Sequence, residues 1–380
     1  MSKNKTRKNG KKGSAFSRII KILTILILLG LIIFFFVLTD EQKQKLFGKI
    51  EKTKAEMVEV EKPKLKIIDE DSKTRPIAVV YDNNVDAWSH SGISNAYAVY
   101  EFPVEGGESR VLAFYKDKKD IVVGPIRSAR HYFLDYVLEH DAIFAHLGKS
   151  PKAESDMGTL RISNINGQEY DTGMQRANLP MEYWRVNTKY SPHNAYTDLT
   201  NLQNIMENKG YKSETSTKVP FKYSVIEKDL EKDKSKKISS LMGWYHIGNK
   251  TVFNYDEETK MYTKTSKGIL QNDELTGKPL EYKNIVILET SVTQLPDSEK
   301  KDRKEVQTVG TLNGIYSSNG RVMKIKAKKD SRAAQTKYMD EEGNEIVFND
   351  GVTFVMIVPN LDPAGYDYVE VPEEVTENIN

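Results

Sequence analysis

Residues 22–38 form a run of seventeen uncharged residues rich in Ile, Leu and Phe. Eight basic residues and no acidic one precede it: Lys3, Lys5, Arg7, Lys8, Lys11, Lys12, Arg18 and Lys21. At a helical rise of about 1.5 Å per residue, such a run nearly spans a hydrocarbon core of roughly 30 Å; Ile19 and Ile20 lengthen it. The basic flank stays on the cytoplasmic side. The expected topology is single-pass in the plasma membrane, with a cytoplasmic tail at 1–21, an anchor at 22–38 and the bulk of the chain outside the cell. A cleaved signal peptide calls for a shorter apolar region and a small-residue cleavage site. Phe34, Phe35, Phe36, Val37, Leu38 and Thr39 offer none.

The rest of the chain is long enough for two domains on the usual size range. Without the eight leading charges it holds 56 − 8 = 48 basic and 54 acidic residues, a balance of −6. Nucleic acid is therefore not an expected partner, because binding it needs a concentrated basic surface. The absence of cysteine excludes disulfides, thiol catalysis and thiolate metal sites. No histidine pair at metal spacing, calcium loop, Walker loop or nucleophile elbow is present, so neither a metal nor another cofactor is expected.

Residues 39–74 are dense in Lys and Glu and read as a stalk. Residues 75–213 mix short apolar strands with helical stripes, an α/β-type domain. The strand IAVVYD comes first, followed by a hairpin around Gly106-Gly107. A helix is expected to open near Ser128, with a stripe from Ala129 to His140. Next come the strand around AIFAHLG and a helix ended by Gly210. Residues 214–237 are a polar linker. Residues 238–363 carry short strands and turn residues, including hairpin-type turns at Asn349–Gly351 and Glu341–Gly343, and read as a small, mainly β domain. An acidic tail at 364–380 is expected to hang loose. The fold class is α+β, preceded by one transmembrane helix.

Chemistry-bearing residues concentrate between Asp82 and Asn194. Glu101, Glu105 and Arg110 flank the double-glycine turn, where cross-strand charges support a hairpin. Arg127 and Arg130 fall at the expected helix start, where cations oppose the helix dipole. Two such charges imply a facing anion: either internal, with Glu101, Glu105 and Asp82 as candidates, or a ligand phosphate or carboxylate. His146 sits on an apolar strand that breaks at Gly148. His193 lies in a loop beside Asn194, which serves either ligand orientation or helix capping.

Taken in order, RPIAVVYDNNVDAWSHSGISNAYAVYEFPVEGGESRVLAFYKD, VGPIRSARHYFLDYVLEHDAIFAHLGKSP, INGQEYD and PHNAYT closely resemble the YerB-like family of bacterial cell-envelope proteins. YDEETKMYTKT, YKNIVILET and DEEGNEIVFNDGVTFVMIVP extend the resemblance into the second half. It implies a protein on the outer face of a Gram-positive membrane, with an α/β domain followed by a β-rich one. Family members are typically lipoproteins; this chain lacks the lipidated cysteine and carries an apolar run instead. The resemblance brings no reaction with it. At the level of architecture alone, the element order is also similar to that of LytR-CpsA-Psr phosphotransferases, whose arginines and aspartates hold a lipid pyrophosphate.

The expected role is a non-catalytic envelope protein that binds a cell-wall component or a wall-associated protein. Its candidate anion site comprises Arg110, Arg127, Arg130, Glu101, Glu105, Asp82, His146, His193 and Asn194, and residues 19–38 engage the bilayer. The alternative is an enzyme acting on a phosphate-bearing, lipid-linked substrate. The lack of a recognised nucleophile favours binding, and the concentration of Arg, Glu, Asp and His favours catalysis.

Overall fold

In the computed structural model of the chain, residues 21–24, 26–30, 34, 37–45, 63–174, 181–246, 248–296, 299–361 and 364–373 are described. The chain divides into two units, Met1–Pro63 and Lys64–Asn380. In the first unit, residues 21–24 and 26–30 are helical and their apolar side chains are exposed. Among the described residues no helix is long and apolar enough to cross a membrane. The expected span is interrupted by residues 25, 31–33 and 35–36, which lie outside the described residues. So do residues 1–20 and stalk residues 46–62.

The second unit is mixed α+β, dominated by a 16-stranded sheet. Its first half supplies β1 (Ile77–Asp82), β2 (Ala98–Pro103), β3 (Ser109–Tyr115), β4 (Ile143–His146) and β5 (Asn164–Asn166). Its second half supplies β6 (Lys236–His246), β7 (Asn249–Asp256), β8 (Met261–Ser266), β9 (Ile269–Leu270), β10 (Asn284–Thr290), β11 (Gly310–Ser318), β12 (Arg321–Lys329), β13 (Thr353–Pro359) and β14 (Tyr366–Glu370). The order is β9-β8-β7-β6-β12-β11-β10-β13-β2-β3-β1-β4-β5, with β14 on β6. β1, β4 and β5 run parallel, as do β10, β13 and β2; β3 is antiparallel to both β1 and β2.

The sequence halves meet inside this sheet. β13 pairs with β2 from Ala98↔Thr353 to Glu101↔Met356, and both apolar layers contain residues from either side of the 214–237 stretch. Period-2 alternation sorts the strands between those layers. Ala78, Val80, Leu112 and Phe114 face one, beneath α1 (Phe133–Glu139). Ile77, Val79, Tyr81, Val111 and Ala113 face the other.

Two further helices cover the first half. α2 (Pro151–Thr159) begins on Ser150, whose side chain accepts from Ala153 N, with Pro151 in its first turn. α3 (Leu199–Asn208) is capped by Asp198 and buries Leu199, Leu202, Ile205 and Met206 at helical spacing. Gly210, at φ +67, follows its end in the left-handed conformation that only glycine adopts without strain.

Several expectations are corrected. The stalk ends before residue 74, because Leu65 and Ile68 are buried in the core and Asp350 accepts from the backbone N–H groups of Lys66 and Ile67. α1 starts at Phe133 rather than near Ser128. Residues 124–130 form an extended crossing strap in which Ile126 bridges Tyr81 and Ala129 bridges Lys149. Asn349–Gly351 turns between strands of different sheets, not within a hairpin. The expected loose tail contributes β14 on β6; residues 374–380 lie outside the described residues.

Candidate functional site

Asp82 ends β1, at the carboxyl end of the parallel β1–β4–β5 group. Open α/β sheets place ligands at this edge because the strand ends leave loops and unpaired backbone there. Asp82 is only 4% exposed, and its Oδ2 lies 2.9 Å from Arg127 Nε and 2.7 Å from His193 Nδ1. The strap holds Arg127 in place: its N–H donates to Val80 O and its carbonyl accepts from Leu147 N. A carboxylate only accepts, so the Nδ1 facing it carries the proton. The Arg127 Nε contact is an ion pair without hydrogen-bond alignment. Neither the Arg127 Nη groups nor His193 Nε2 meets a protein partner among the described residues.

Arg110 stands directly opposite Asp82 in the β1–β3 register, so the two side chains leave the same face. Its Nη1 donates to Ser128 O at 2.7 Å, and no carboxylate among the described residues comes within ion-pair distance. Burial and the neighbouring Arg130 and Arg127 charges push its guanidinium down to about 9, against the opposing pull of the Glu105 and Asp82 carboxylates. At neutral pH it is still charged. Arg110 is thus a half-buried cation with one carbonyl partner and no counterion in contact.

Arg130 is different. Its Nε and Nη2 fork onto both oxygens of Glu105 at 2.7 and 2.6 Å, and its Nη1 donates to Ala129 O. Burial would raise the Glu105 carboxyl, but the Arg130 hydrogen bonds and charge override it and hold the group below its usual range. Glu105 reaches this position from the turn Glu105–Gly107, where Gly106 and Gly107 take φ +68 and +72.

Glu101 does not join them. It sits one residue out of phase, on the opposite sheet face, and is fully buried. Its Oε2 contacts Lys264 Nζ of β8 at 2.7 Å, and its Oε1 accepts from Ser109 Oγ and Asn83 Nδ2. His146 is also consumed by the fold. Its Nδ1 donates to Gly148 O at 2.8 Å, and Nε2 lies 3.4 Å from Asn164 Oδ1. Burial pushes its imidazole down to about 4, against the opposing pull of the Gly148 carbonyl. Asn194 caps no helix; it accepts from Arg185 Nη1 and donates to Val186 O, fixing the loop that carries His193.

Asp82, Arg110, Arg127, Arg130, Glu105 and His193 are therefore gathered at one sheet edge, whereas Glu101 and His146 serve the core. Sequence reasoning overlooked Lys264, although Tyr262, Lys264 and Ser266 share one strand parity and a lysine on that parity must meet a buried acid. Clefts elsewhere have other linings. One of about 700 Å3 runs between residues 68–73 and 215–223 and contains none of the site residues. Among the described residues, no group of three or more His, Asp or Glu side chains is placed to hold a metal.

Both halves match known proteins. Residues 65–212 match the N-terminal domain, and residues 243–355 the C-terminal domain, of the family described as protein of unknown function (DUF3048). A Bacillus subtilis protein named "Putative lipoprotein YerB" is 29% identical over 333 residues, covering 87% of this chain and 94% of that protein. The crystal structure of YerB from Bacillus subtilis superposes with a TM-score of 0.68 at 28% identity, over 81% of this chain and 100% of that one. The match spans both sequence halves and starts where the core does, near residue 65. This chain belongs to the YerB-like family of bacterial envelope proteins.

Proposed function

We propose that this is a membrane-anchored, extracytoplasmic envelope protein whose first half binds an anionic group of a cell-wall component or wall-associated protein at Arg110 and Arg127. The observation that carries the reading is Arg110, a half-buried guanidinium that no carboxylate contacts. A protein that spends stability on such a charge gains from it when an anion arrives. The relative's name as a lipoprotein supports the outer membrane face. With no cysteine to carry a lipid, the anchor is assigned to the apolar run behind the basic tail.

The test is the melting temperature of the full-length protein in detergent, with and without dimethyl phosphate. A rise in the wild type that Arg127→Ala abolishes supports the site, and no rise contradicts it. The Asp82–His193 pair favours a second reading, because an imidazole oriented through Nδ1 presents Nε2 as a general base. Turnover of a lipid-linked pyrophosphate that is lost in His193→Ala would establish that reading.

A further inference from the structure

The arginine site has a second component of a different chemical kind. Asp82 pins the Nδ1 proton of His193, so in its neutral form the ring presents a lone pair at Nε2. A lone pair repels an anionic oxygen and attracts a hydrogen. The atom that meets His193 therefore carries a proton, while the atoms that meet the Arg110 and Arg127 guanidiniums carry negative charge. The charge of the cluster sets the size of that negative charge. Three guanidiniums (Arg110, Arg127, Arg130) against two carboxylates (Asp82, Glu105) leave 3 − 2 = +1. A single negative charge balances it, as on a phosphodiester; a dianionic monoester would overshoot.

We infer that the ligand is a hydroxyl-bearing phosphodiester, a polyol phosphate whose phosphate oxygens take the arginines and whose hydroxyl donates to His193 Nε2. The inference rests on the anion-binding reading above and adds the hydroxyl and the single charge. Arg127 and His193 flank one oxygen of Asp82, at 2.9 and 2.7 Å, so phosphate and hydroxyl are read side by side. The chemistry is shared by a glycerol-type lipid headgroup and by a free or polymeric polyol phosphate.

The test is isothermal titration of the full-length protein in detergent near pH ~8, above the ordinary histidine range. Glycerophosphoglycerol is compared with dimethyl phosphate, which has the same charge and no hydroxyl. The expected result is roughly five- to tenfold tighter binding of glycerophosphoglycerol, the worth of about one hydrogen bond. His193→Ala should remove that preference, read as the ratio of the two affinities within the variant, whatever its affinity for dimethyl phosphate. Equal affinities in the wild type, or a preference that survives in His193→Ala, would overturn the inference while leaving the anion site standing. Failure of both ligands to bind would sink the anion site and the inference together. A preference for glycerate over propionate that exceeds the phosphodiester preference would overturn the phosphate assignment.

If the variant misfolds, imidazole 15N spectra of the wild type decide: Nε2 of His193 should shift with glycerophosphoglycerol and not with dimethyl phosphate. Nanodiscs with and without phosphatidylglycerol separate the two sources. Competition by the lipid assigns the headgroup, and unchanged glycerophosphoglycerol binding assigns the soluble or polymeric source.

Discussion

Glu101 Oε2 lies 2.7 Å from Lys264 Nζ, and neither side chain is more than 2% exposed. The pair joins β2 of the first sequence half to β8 of the second. Removing one partner strands the other charge in a dry layer. Lys264→Met should therefore cost about 3–5 kcal/mol in denaturant unfolding, and the Glu101→Leu, Lys264→Met double variant should recover a large part of that loss. A loss below about 1 kcal/mol would mean that water reaches the pair.

The same stitching governs cleavage between the halves. Glu139 pairs with Lys329, Asp135 and Asp156 with Arg332, and Asp273 accepts from Gly92 N and Ser94 Oγ. A protease site inserted at the exposed residues 231–233 should give two fragments that co-elute on size exclusion and separate only in denaturant. Two independently folded fragments would contradict the shared sheet.

Arg127 and Arg130 should part company on substitution. Arg130→Ala strands Glu105, itself only 18% exposed, and should cost roughly 2–4 kcal/mol. Arg127→Ala leaves the buried Asp82 carboxylate with two hydrogen bonds, from His193 and Asn84 N, so its stability cost should be smaller, about 1 kcal/mol. Paired denaturation curves check this, and equal costs would refute the distinction.

His146 makes stability depend on pH. Its pKa falls from 6.5 to about 4 on folding, so below 6.5 the unfolded chain binds the extra proton and the native state does not. The contribution is complete above pH 6.5 and is lost as pH drops to about 4, by on the order of 3 kcal/mol. His146→Asn should flatten the stability profile across that window relative to the wild type. An unchanged slope would contradict the buried neutral imidazole.

Local signals made much of the first half legible. The strand 77–82, the double-glycine turn and the capped helix ended by Gly210 follow from alternation, positive φ and side-chain capping. The Ser150–Pro151 cap was equally readable and was overlooked. The parallel pairing of β2 with β13 was out of reach, because it joins residues about 255 positions apart (353 − 98) and leaves no mark in either segment alone. The arginine strap misled for a physical reason: apolar spacing from Ala129 onward fits a helix, but the backbone of 126–129 is spent bridging Tyr81 and Lys149. At the site, proximity in sequence suggested Glu101 as a partner, and strand parity put it on the other face. Asp82 and His193, 111 residues apart, meet only through the fold.

The central claim is that Arg110 is held charged and without a contacting counterion for an incoming anion. Melting of the full-length protein and of Arg110→Met, with and without dimethyl phosphate, tests it most directly. Without the anion, the variant should melt as high as the wild type or higher, because it no longer holds a half-buried charge that no carboxylate contacts. With the anion, the wild type should rise and the variant should not. A variant that melts several degrees lower, or that responds to dimethyl phosphate as the wild type does, would contradict the account.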